Sequence, residues 1–289
     1  MFGLNKIIPV EPNINFLGLR RNFLIFSILA ILISIGLLSI KGLNLGIDFK
    51  GGILLELRSK NPNSPNINEL REKISTLNAG EVSIQNFGKD TDFLVRIQKQ
   101  EGDQKEQIAM IEKVKSLTNK DYTVRRSEFV GPTISSELLF RGFQAVSFAL
   151  IAILIYIWLR FEWQFGFGAV VALTHDVLFT LGLLSILNVE FSLATIAAIL
   201  TIAGYSINDT VVIFDRVREN LRKYKKLELV DLFNLSVNNT LSRTIMTSLT
   251  TLLALVSLFV FGGEVIRPFA LTMIIGVILS LIHISEPTR

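Results

Sequence analysis

Ionisable side chains interrupt two long apolar stretches of this sequence. Asp209 lies within "AILTIAGYSINDTVVIFD", and His175 and Asp176 lie together within "GFGAVVALTHDVLFTLGLL". A charged side chain in the middle of a bilayer costs at least about 2.5 kcal/mol of insertion free energy, so such residues usually mark an ion or proton path. The sequence therefore predicts an ion or proton path. The alternative is structural: buried, neutral carboxyl groups that lock helix packing, and a His175 that only orients a neighbour by a hydrogen bond.

Polar residues follow Asp209 along one side of its predicted helix. Ser206, Tyr205 and Thr201 precede it by three, four and eight residues, which places them near the same face. Gly204 is expected to allow a neighbouring helix to approach closely. This polar stripe is predicted to face the interior of a helix bundle and to hold water.

Arg243 stands at the start of another apolar stretch, in "LSRTIMTSLTT". One interpretation is functional, because a nearby guanidinium favours the charged form of a carboxyl group. The other is a topology signal or a contact with lipid headgroups. The hydroxyl residues that follow are predicted to continue a polar face inward from the arginine: Thr244, Thr247, Ser248 and Thr251.

The composition excludes several classes of site. Half of the 289 residues are hydrophobic, there is no cysteine, and only two histidines occur. Disulfides and cysteine-ligated metals are therefore impossible, and no metal, cofactor or nucleic-acid partner is expected. We find no nucleophile–base pair, so the sequence does not predict an enzyme.

Apolar runs divide the chain into six predicted membrane spans. These are residues 23–40, 142–159, 165–187, 191–214, 244–261 and a truncated 268–278. Residues 1–22 precede them, and residues 215–243 form a basic loop that the positive-inside rule places in the cytoplasm together with the N-terminus. Residues 279–289, "LSLIHISEPTR", look like a translated sequencing adapter. A genuine short tail is the alternative.

The long polar segment, residues 41–141, is predicted to be an extracytoplasmic domain. Its periodicity indicates strands and helices in the order βαββαβ, which is typical of a small α+β ferredoxin-like domain. The strands are predicted at 53–58, 81–88, 92–99 and 122–130, the helices at 66–77 and 104–117, and a turn at 89–91. An interaction or lever domain is the interpretation we favour for it.

Five motifs, in order, resemble the SecF family, the smaller membrane subunits of bacterial SecD–SecF complexes in the RND superfamily. They are "GLNLGIDFKGG" at 42–52, "VGPTISSEL" at 130–138, "ALTHDVLFTLG" at 172–182, "GYSINDTVVIFDRVREN" at 204–220 and "LSRTIMTSLTT" at 241–251. The first contains the family-motif residues Gly46, Asp48, Gly51 and Gly52.

The resemblance implies an α-helical membrane protein with an RND-type bundle of six transmembrane helices in the bacterial cytoplasmic (inner) membrane. It implies that proton-motive force promotes protein translocation, with Asp209 and Arg243 in proton conduction and less defined roles for Asp176 and His175. The implied partners are SecD, the SecYEG translocon, YajC, translocating preproteins and membrane lipids. Half of an RND-type small-molecule or lipid efflux transporter is the alternative.

Overall fold

The computed structural model describes residues 13–61, 66–77, 79–80, 82–97, 104–263 and 266–283. The chain divides into two compact units, which we describe separately. The first, the membrane unit, comprises Met1–Asn44 and Ala145–Arg289, and the second, the outer unit, comprises Leu45–Gln144.

Helices and strands follow one another in the described chain with short connections. A 3-10 turn, Leu17–Leu19, precedes the first helix. In chain order the elements are α1 (Arg20–Ile40), β1 (Asn44–Leu45), α2 (Ile47–Lys50), β2 (Gly52–Ser59), α3 (Ile67–Ser75), β3 (Val82–Phe87), β4 (Lys89–Ile97), α4 (Gln104–Thr118), β5 (Tyr122–Val130), α5 (Pro132–Arg160), α6 (Trp163–Ile186), β6 (Glu190–Phe191), α7 (Leu193–Lys223), α8 (Leu229–Phe261) and α9 (Arg267–His283).

Five of the described helices are long and apolar enough to cross a membrane: α1, α5, α6, α7 and α8. The shorter α9 is also apolar over Arg267–Ile282. Helix α7 is central in the membrane unit, because α6, α8 and α9 all pack against it. Its buried side chains Ala198 and Ile202 contact Leu255 of α8 and Met273 and Val277 of α9.

Two glycines allow helices of the membrane unit to approach closely. A Cβ atom added to Gly276 on α9 would lie 2.4 Å from the side chain of Ile202 on α7. One added to Gly182 on α6 would lie 2.3 Å from Ser34 Oγ on α1. These distances are far below contact distance, so only glycine fits at either crossing.

The basic segment predicted as a loop, residues 215–243, is mostly helical. Helix α7 continues to Lys223 and α8 begins at Leu229, which leaves a connection of five residues, Tyr224–Glu228. The charged residues of this segment are good helix formers, so hydropathy marks where the apolar run ends but not where the helix ends. Helix α9 likewise continues past residue 278 to His283, while the rest of the suspected tail, 284–289, lies outside the described residues.

Side-chain amides of α8 hold the segment that precedes α1. Asn238 Oδ1 accepts from the Ile14 backbone N–H at 3.0 Å, and Asn238 Nδ2 donates to the Ile14 carbonyl at 2.9 Å. One turn earlier on α8, Asn234 Oδ1 accepts from the Leu17 N–H at 3.0 Å. We call this set of contacts the N-terminal clasp. Most of these contacts are to backbone groups, and Asn234 Nδ2 also donates to the Asn15 side chain at 3.1 Å, so together they fix the path of the segment.

The outer unit contains a four-stranded antiparallel sheet with the order β3-β4-β2-β5. With α3 and α4 in sequence between the strands, its elements follow the predicted order βαββαβ. Ile53, Leu55 and Leu57 of β2 are fully buried and pack with α3 and α4. Their spacing of two residues is the alternation that predicted this strand.

The turn between β3 and β4 differs from the prediction. Lys89 begins β4 and pairs with Phe87, so residues 89–91 belong to the strand. Gly88 alone makes the reversal, with a φ of +77° that favours glycine. The turn was predicted one position too late because Lys-Asp-Thr is more typical of turns in composition than a single glycine. Residues 81, 98 and 99, which were predicted to lie in strands, are outside the described part of the chain.

Candidate functional site

Two buried carboxyl groups occupy the centre of the membrane unit. Asp176 on α6 has no exposed surface and Asp209 on α7 is 2% exposed. Ser206 on α7 donates a hydrogen bond of 2.5 Å from its Oγ to Asp176 Oδ2, which joins the two helices. We call Asp176, Ser206 and Asp209 the carboxyl centre.

Asp209 follows Ser206 by three residues, about one turn along α7, so both point to the same side of the helix. Thr210 is also buried, and its hydroxyl donates to the Ser206 carbonyl at 3.0 Å. The hydroxyl of Thr210 is therefore satisfied by the helix backbone, whereas the hydroxyl of Ser206 is directed to Asp176.

His175 neighbours the carboxyl centre without forming a hydrogen bond to its own neighbour Asp176. Its Nδ1 lies 3.6 Å from Asp176 Oδ1, which is too long for a hydrogen bond. The ring stacks on Phe179, with centroids 5.9 Å apart and an interplanar angle of 9°. His175 is 4% exposed, so aromatic stacking and burial fix its orientation.

Only part of the polar face predicted for α7 is buried. Ser206 and Asp209 are buried and Tyr205 is half-buried, but Thr201 and Gly204 are exposed within this chain. A Cβ atom at Gly204 would meet no heavy atom within 4 Å, so the expected close helix approach at Gly204 is not found within the chain. Gly182 and Gly276 have that role instead.

A stripe of hydroxyl residues on α8 was predicted only in part, since Thr244 and Ser248 were named from the sequence but Ser236 and Thr240 were not. Its four members are buried and follow one another at intervals of four: Ser236, Thr240, Thr244 and Ser248. Tyr205 Oη on α7 donates to Ser248 Oγ at 3.2 Å, and Asn220 Nδ2 donates to Ser236 Oγ at 2.9 Å. The interval of four was the available signal.

The predicted face of Thr244, Thr247, Ser248 and Thr251 is therefore wrong in part. Thr247 is exposed and Thr251 is half-buried, and their hydroxyls donate to backbone carbonyls of α8 at 2.9 Å. Thr244 and Ser248 do lie on the buried edge. The prediction started at Arg243 and so did not include Ser236 and Thr240, which precede the apolar run.

Arg243 is exposed on α8, in a groove of about 320 Å³ between α7 and α8. Asp215, Arg216 and Glu219 line the same groove. Within the described residues, no hydrogen bond or ion pair links Arg243 to Asp209. The structure thus brings Asp176 near the side of α7 that carries Asp209, and it places Arg243 at a separate, water-accessible position.

Asp215 forms an ion pair with an arginine that is distant in the sequence. Arg160 Nη2, at the end of α5, donates to Asp215 Oδ1 at 2.8 Å and to Oδ2 at 3.1 Å. Fifty-five residues separate Asp215 from Arg160, so local spacing could not reveal this pair.

The glycine motif at residues 46–52 builds a tight chain reversal in the outer unit. Gly46 caps the short helix α2, and Asp48 lies in its first turn. Gly51 and Gly52 have φ angles of +70° and +122°. A Cβ atom at Gly51 would lie 3.2 Å from both Ser135 Oγ and the Val130 carbonyl. Conformation and packing therefore both favour glycine at position 51.

Long apolar helices around buried carboxyl groups define a multi-pass α-helical membrane protein. Comparison with known families identifies it further. Residues 109–285 match the model described as "Protein export membrane protein SecD/SecF, C-terminal", and residues 36–62 match the "SecD/SecF GG Motif". The chain belongs to the SecF family of SecD/SecF protein-export membrane proteins.

Curated relatives and solved structures agree with this family. The protein translocase subunit SecF of Rickettsia rickettsii (strain Sheila Smith) is 43% identical, over 98% of this chain and 92% of the relative. That of Calditerrivibrio nitroreducens (strain DSM 19672 / NBRC 101217 / Yu37-1) is 45% identical, over 94% and 91%. The crystal structure of SecDF, a translocon-associated membrane protein from Thermus thermophilus, is 38% identical with a TM-score of 0.85.

The SecDF match covers 97% of this chain but only 38% of the SecDF chain. A second SecDF structure, in a super-membrane-facing form, has a TM-score of 0.69 at 37% identity, over 95% of this chain and 38% of that one. The family consists of protein-transport subunits of the Sec pathway, so the chain is a transport component rather than an enzyme.

Proposed function

We propose that this chain uses proton-motive force, together with a SecD-type partner, to promote protein export across the bacterial inner membrane. The observation that carries the proposal is the carboxyl centre, in which Ser206 links Asp176 to the face of α7 that bears Asp209. A buried carboxyl group that exchanges a proton with alternating surroundings can couple proton flow to helix movement.

The energy scale supports such coupling. Each elementary charge that crosses the membrane yields about 2.3 kcal/mol per 100 mV of membrane potential. Moving α7 against α6 would break or re-form the contact between Ser206 and Asp176, so protonation and helix position are linked in one element. His175 lies beside the carboxyl centre, and Arg243 lines a groove between α7 and α8.

We infer a topology of six spans with a cytoplasmic N-terminus. Helix α9 would be the sixth, since 17 residues extend about 26 Å, close to the thickness of the hydrocarbon core. The basic connection of α7 and α8 supports a cytoplasmic position for that end. The outer unit would then lie outside, and its strand order supports the ferredoxin-like class.

A SecD-type partner would cover the outward face of α7. Asp176 and Asp209 are shielded by the chain's own helices. Thr201, Gly204 and Asn208, however, are exposed in the middle of a span, where lipid is a poor environment for polar groups. SecD follows from the SecDF match, and SecYEG, YajC and preproteins follow from the proposed role.

The similarity does not favour the efflux alternative. Curated relatives that cover almost the whole chain are translocase subunits. An efflux role would instead require a substrate that leaves the membrane in exchange for protons.

The test is Asp209→Asn, which keeps the shape of the side chain and removes its ability to exchange a proton. Export into inner-membrane vesicles is measured with and without proton-motive force. The variant is expected to lose the stimulation by proton-motive force while inserting and binding its partner normally. The matched control is Asp231→Asn, which makes the same chemical change at an exposed position in the first turn of α8 and should retain the stimulation. Full stimulation with Asp209→Asn would overturn the proposal.

A further inference from the structure

An ionic groove lies between the end of α5 and the last turns of α7, away from the carboxyl centre. Its volume is about 540 Å³, within the range of small-ligand sites. Four basic and two acidic residues line it: Arg160, Asp215, Arg218, Glu219, Arg222 and Lys223. We call it the basic groove.

Both carboxylates of the basic groove already have partners. Asp215 accepts from Arg160 at 2.8 Å, and Glu219 accepts from Arg216, outside the lining, at 2.7 Å. Among the described residues, no carboxylate oxygen lies within 4.0 Å of the remaining cations, which are Arg218, Arg222 and Lys223. The groove therefore keeps an excess of positive charge that an anion could neutralise.

Aromatic residues place this groove at the depth of lipid headgroups. Trp158 and Trp163 are on either side of Arg160 in sequence and are 75% and 71% exposed. Exposed tryptophans concentrate at the boundary between membrane and water. Next to them Leu159 is 84% exposed, which offers apolar surface for an acyl chain beside the ionic lining.

Packed aromatic rings join the end of α5 to α7 at residues adjacent in sequence to the groove lining. Phe161, directly after α5, packs edge-on against Phe214 of α7 with centroids 5.7 Å apart. Phe165 of α6 contacts the same ring at 4.9 Å. These contacts fix the end of α5 against α7, so the distance between Arg160 and the arginines of α7 is set by the fold and not by flexible side chains alone.

We propose that the basic groove is a binding site for one anionic phospholipid. Arg218 and Arg222 are four residues apart and thus adjacent on one face of α7, where two guanidinium groups can share a phosphodiester. The planar donors of arginine suit phosphate better than the point charge of lysine. The acyl chains would lie along the exposed side of α5. This site does not depend on proton coupling by the carboxyl centre.

The experiment uses the full chain reconstituted in vesicles of phosphatidylglycerol and phosphatidylcholine, then gently extracted. Lipid that stays bound is counted by native mass spectrometry. The wild-type chain is expected to retain one phosphatidylglycerol in preference to phosphatidylcholine. Arg218→Gln with Arg222→Gln should lower that preference at least tenfold, because each basic residue near a membrane surface contributes substantially to anionic-lipid binding. The matched control is Lys225→Gln with Lys226→Gln, which removes the same charge from the exposed α7–α8 connection and should retain the preference.

Three results would overturn the proposal. They are an unchanged preference in the double arginine variant, an equal loss in the lysine control, and displacement of the lipid by millimolar inorganic phosphate. The second would indicate general charge attraction, and the third a site for a free anion. If the double variant does not fold, Arg218→Gln alone is measured, with an expected loss of about threefold to fivefold.

Discussion

The Ser206 hydroxyl of α7 donates a hydrogen bond to the Asp176 carboxyl group of α6, at a donor–acceptor distance of 2.5 Å. Neither residue is more than 1% exposed. A hydrogen bond to a carboxyl group inside a bundle is stronger than one at the surface, because water does not compete. Because this contact joins α6 to α7, we expect the position of α7 relative to α6 to respond to a change in the protonation of Asp176.

Removing the Ser206 hydroxyl should weaken the coupling between proton-motive force and export without abolishing it. We expect Ser206→Ala to lower the stimulation of export by proton-motive force about tenfold, which corresponds to the loss of one charge-assisted hydrogen bond. The pH at which stimulation is half-maximal should also move. Ser206→Thr retains the hydroxyl and should restore most of the activity. Vesicle export across a pH series measures both, and an unchanged pH profile in Ser206→Ala would mean that the bond is only structural.

Arg243 can be tested by comparing two replacements. If it belongs to the proton path, Arg243→Lys should fail almost as badly as Arg243→Ala, because lysine lacks the planar fork of donors. An anchor for headgroups should tolerate lysine. Export driven by proton-motive force is compared at matched membrane levels of each variant. Full activity in Arg243→Lys would return the residue to a topological role, which its exposed position in the groove with Asp215 and Glu219 allows.

Glycine at position 182 should be required for the packing of α1 on α6. A methyl group there would lie 2.3 Å from Ser34 Oγ and 2.9 Å from the Ser34 Cα atom, so the helices must separate. We expect Gly182→Ala to destabilise the membrane unit by about 1–3 kcal/mol. Gly204→Ala is the control, because its added Cβ meets no heavy atom within 4 Å. The midpoint of unfolding in sodium dodecyl sulfate, followed by circular dichroism, measures both, and equal midpoints would contradict the prediction.

The outer unit should lose stability in acid through Asp92. The hydrogen bonds from Arg58 hold the pKa of the Asp92 carboxyl below its ordinary value of 3.8. Because the folded state binds this proton less readily than the unfolded state, the stabilisation is complete above about pH 4 and is lost as the pH falls through the lowered pKa. Asp92→Asn should cost about 1 kcal/mol at neutral pH and flatten this acid dependence.

This dependence can be followed in the whole chain because it has no native cysteine. Val114→Cys places a thiol in the fully buried core of the outer unit, where it reacts only on opening. Its labelling by 4,4′-dithiodipyridine, which reacts in acid, is measured between pH 3 and pH 7 with and without Asp92→Asn. Identical pH profiles would exclude the role of Asp92.

Hydropathy and periodicity predicted most of the elements because both reflect burial along a single helix or strand. Apolar runs located the long helices, and alternation in Ile53–Leu57 located β2. Asp176, Asp209 and Ser206 were identified because polar groups are conspicuous in an apolar run. The bounds of α7 and α8 were missed because their polar extensions are helical without being apolar.

Relations between distant segments could not be predicted in the same way. A helical wheel gives the angles between Thr201, Ser206 and Asp209, but not which edge of their stripe points inward. The pairing of Arg160 with Asp215 depends on how α5 packs beside α7, which no local spacing reports. The close approach of Ser34 to Gly182 is likewise a property of two helices brought together by the fold.

The N-terminal clasp has a consequence for biosynthesis. Ile14 and its partner Asn238 are separated by 224 residues, so the segment before α1 leaves the ribosome long before α8 exists. At roughly 5–20 residues per second, it waits on the order of 10–45 s for its hydrogen-bond partners. A segment that is translated before all of these helices is therefore among the last to be fixed, and the ordering of residues 14–17 reports that the later helices have been inserted.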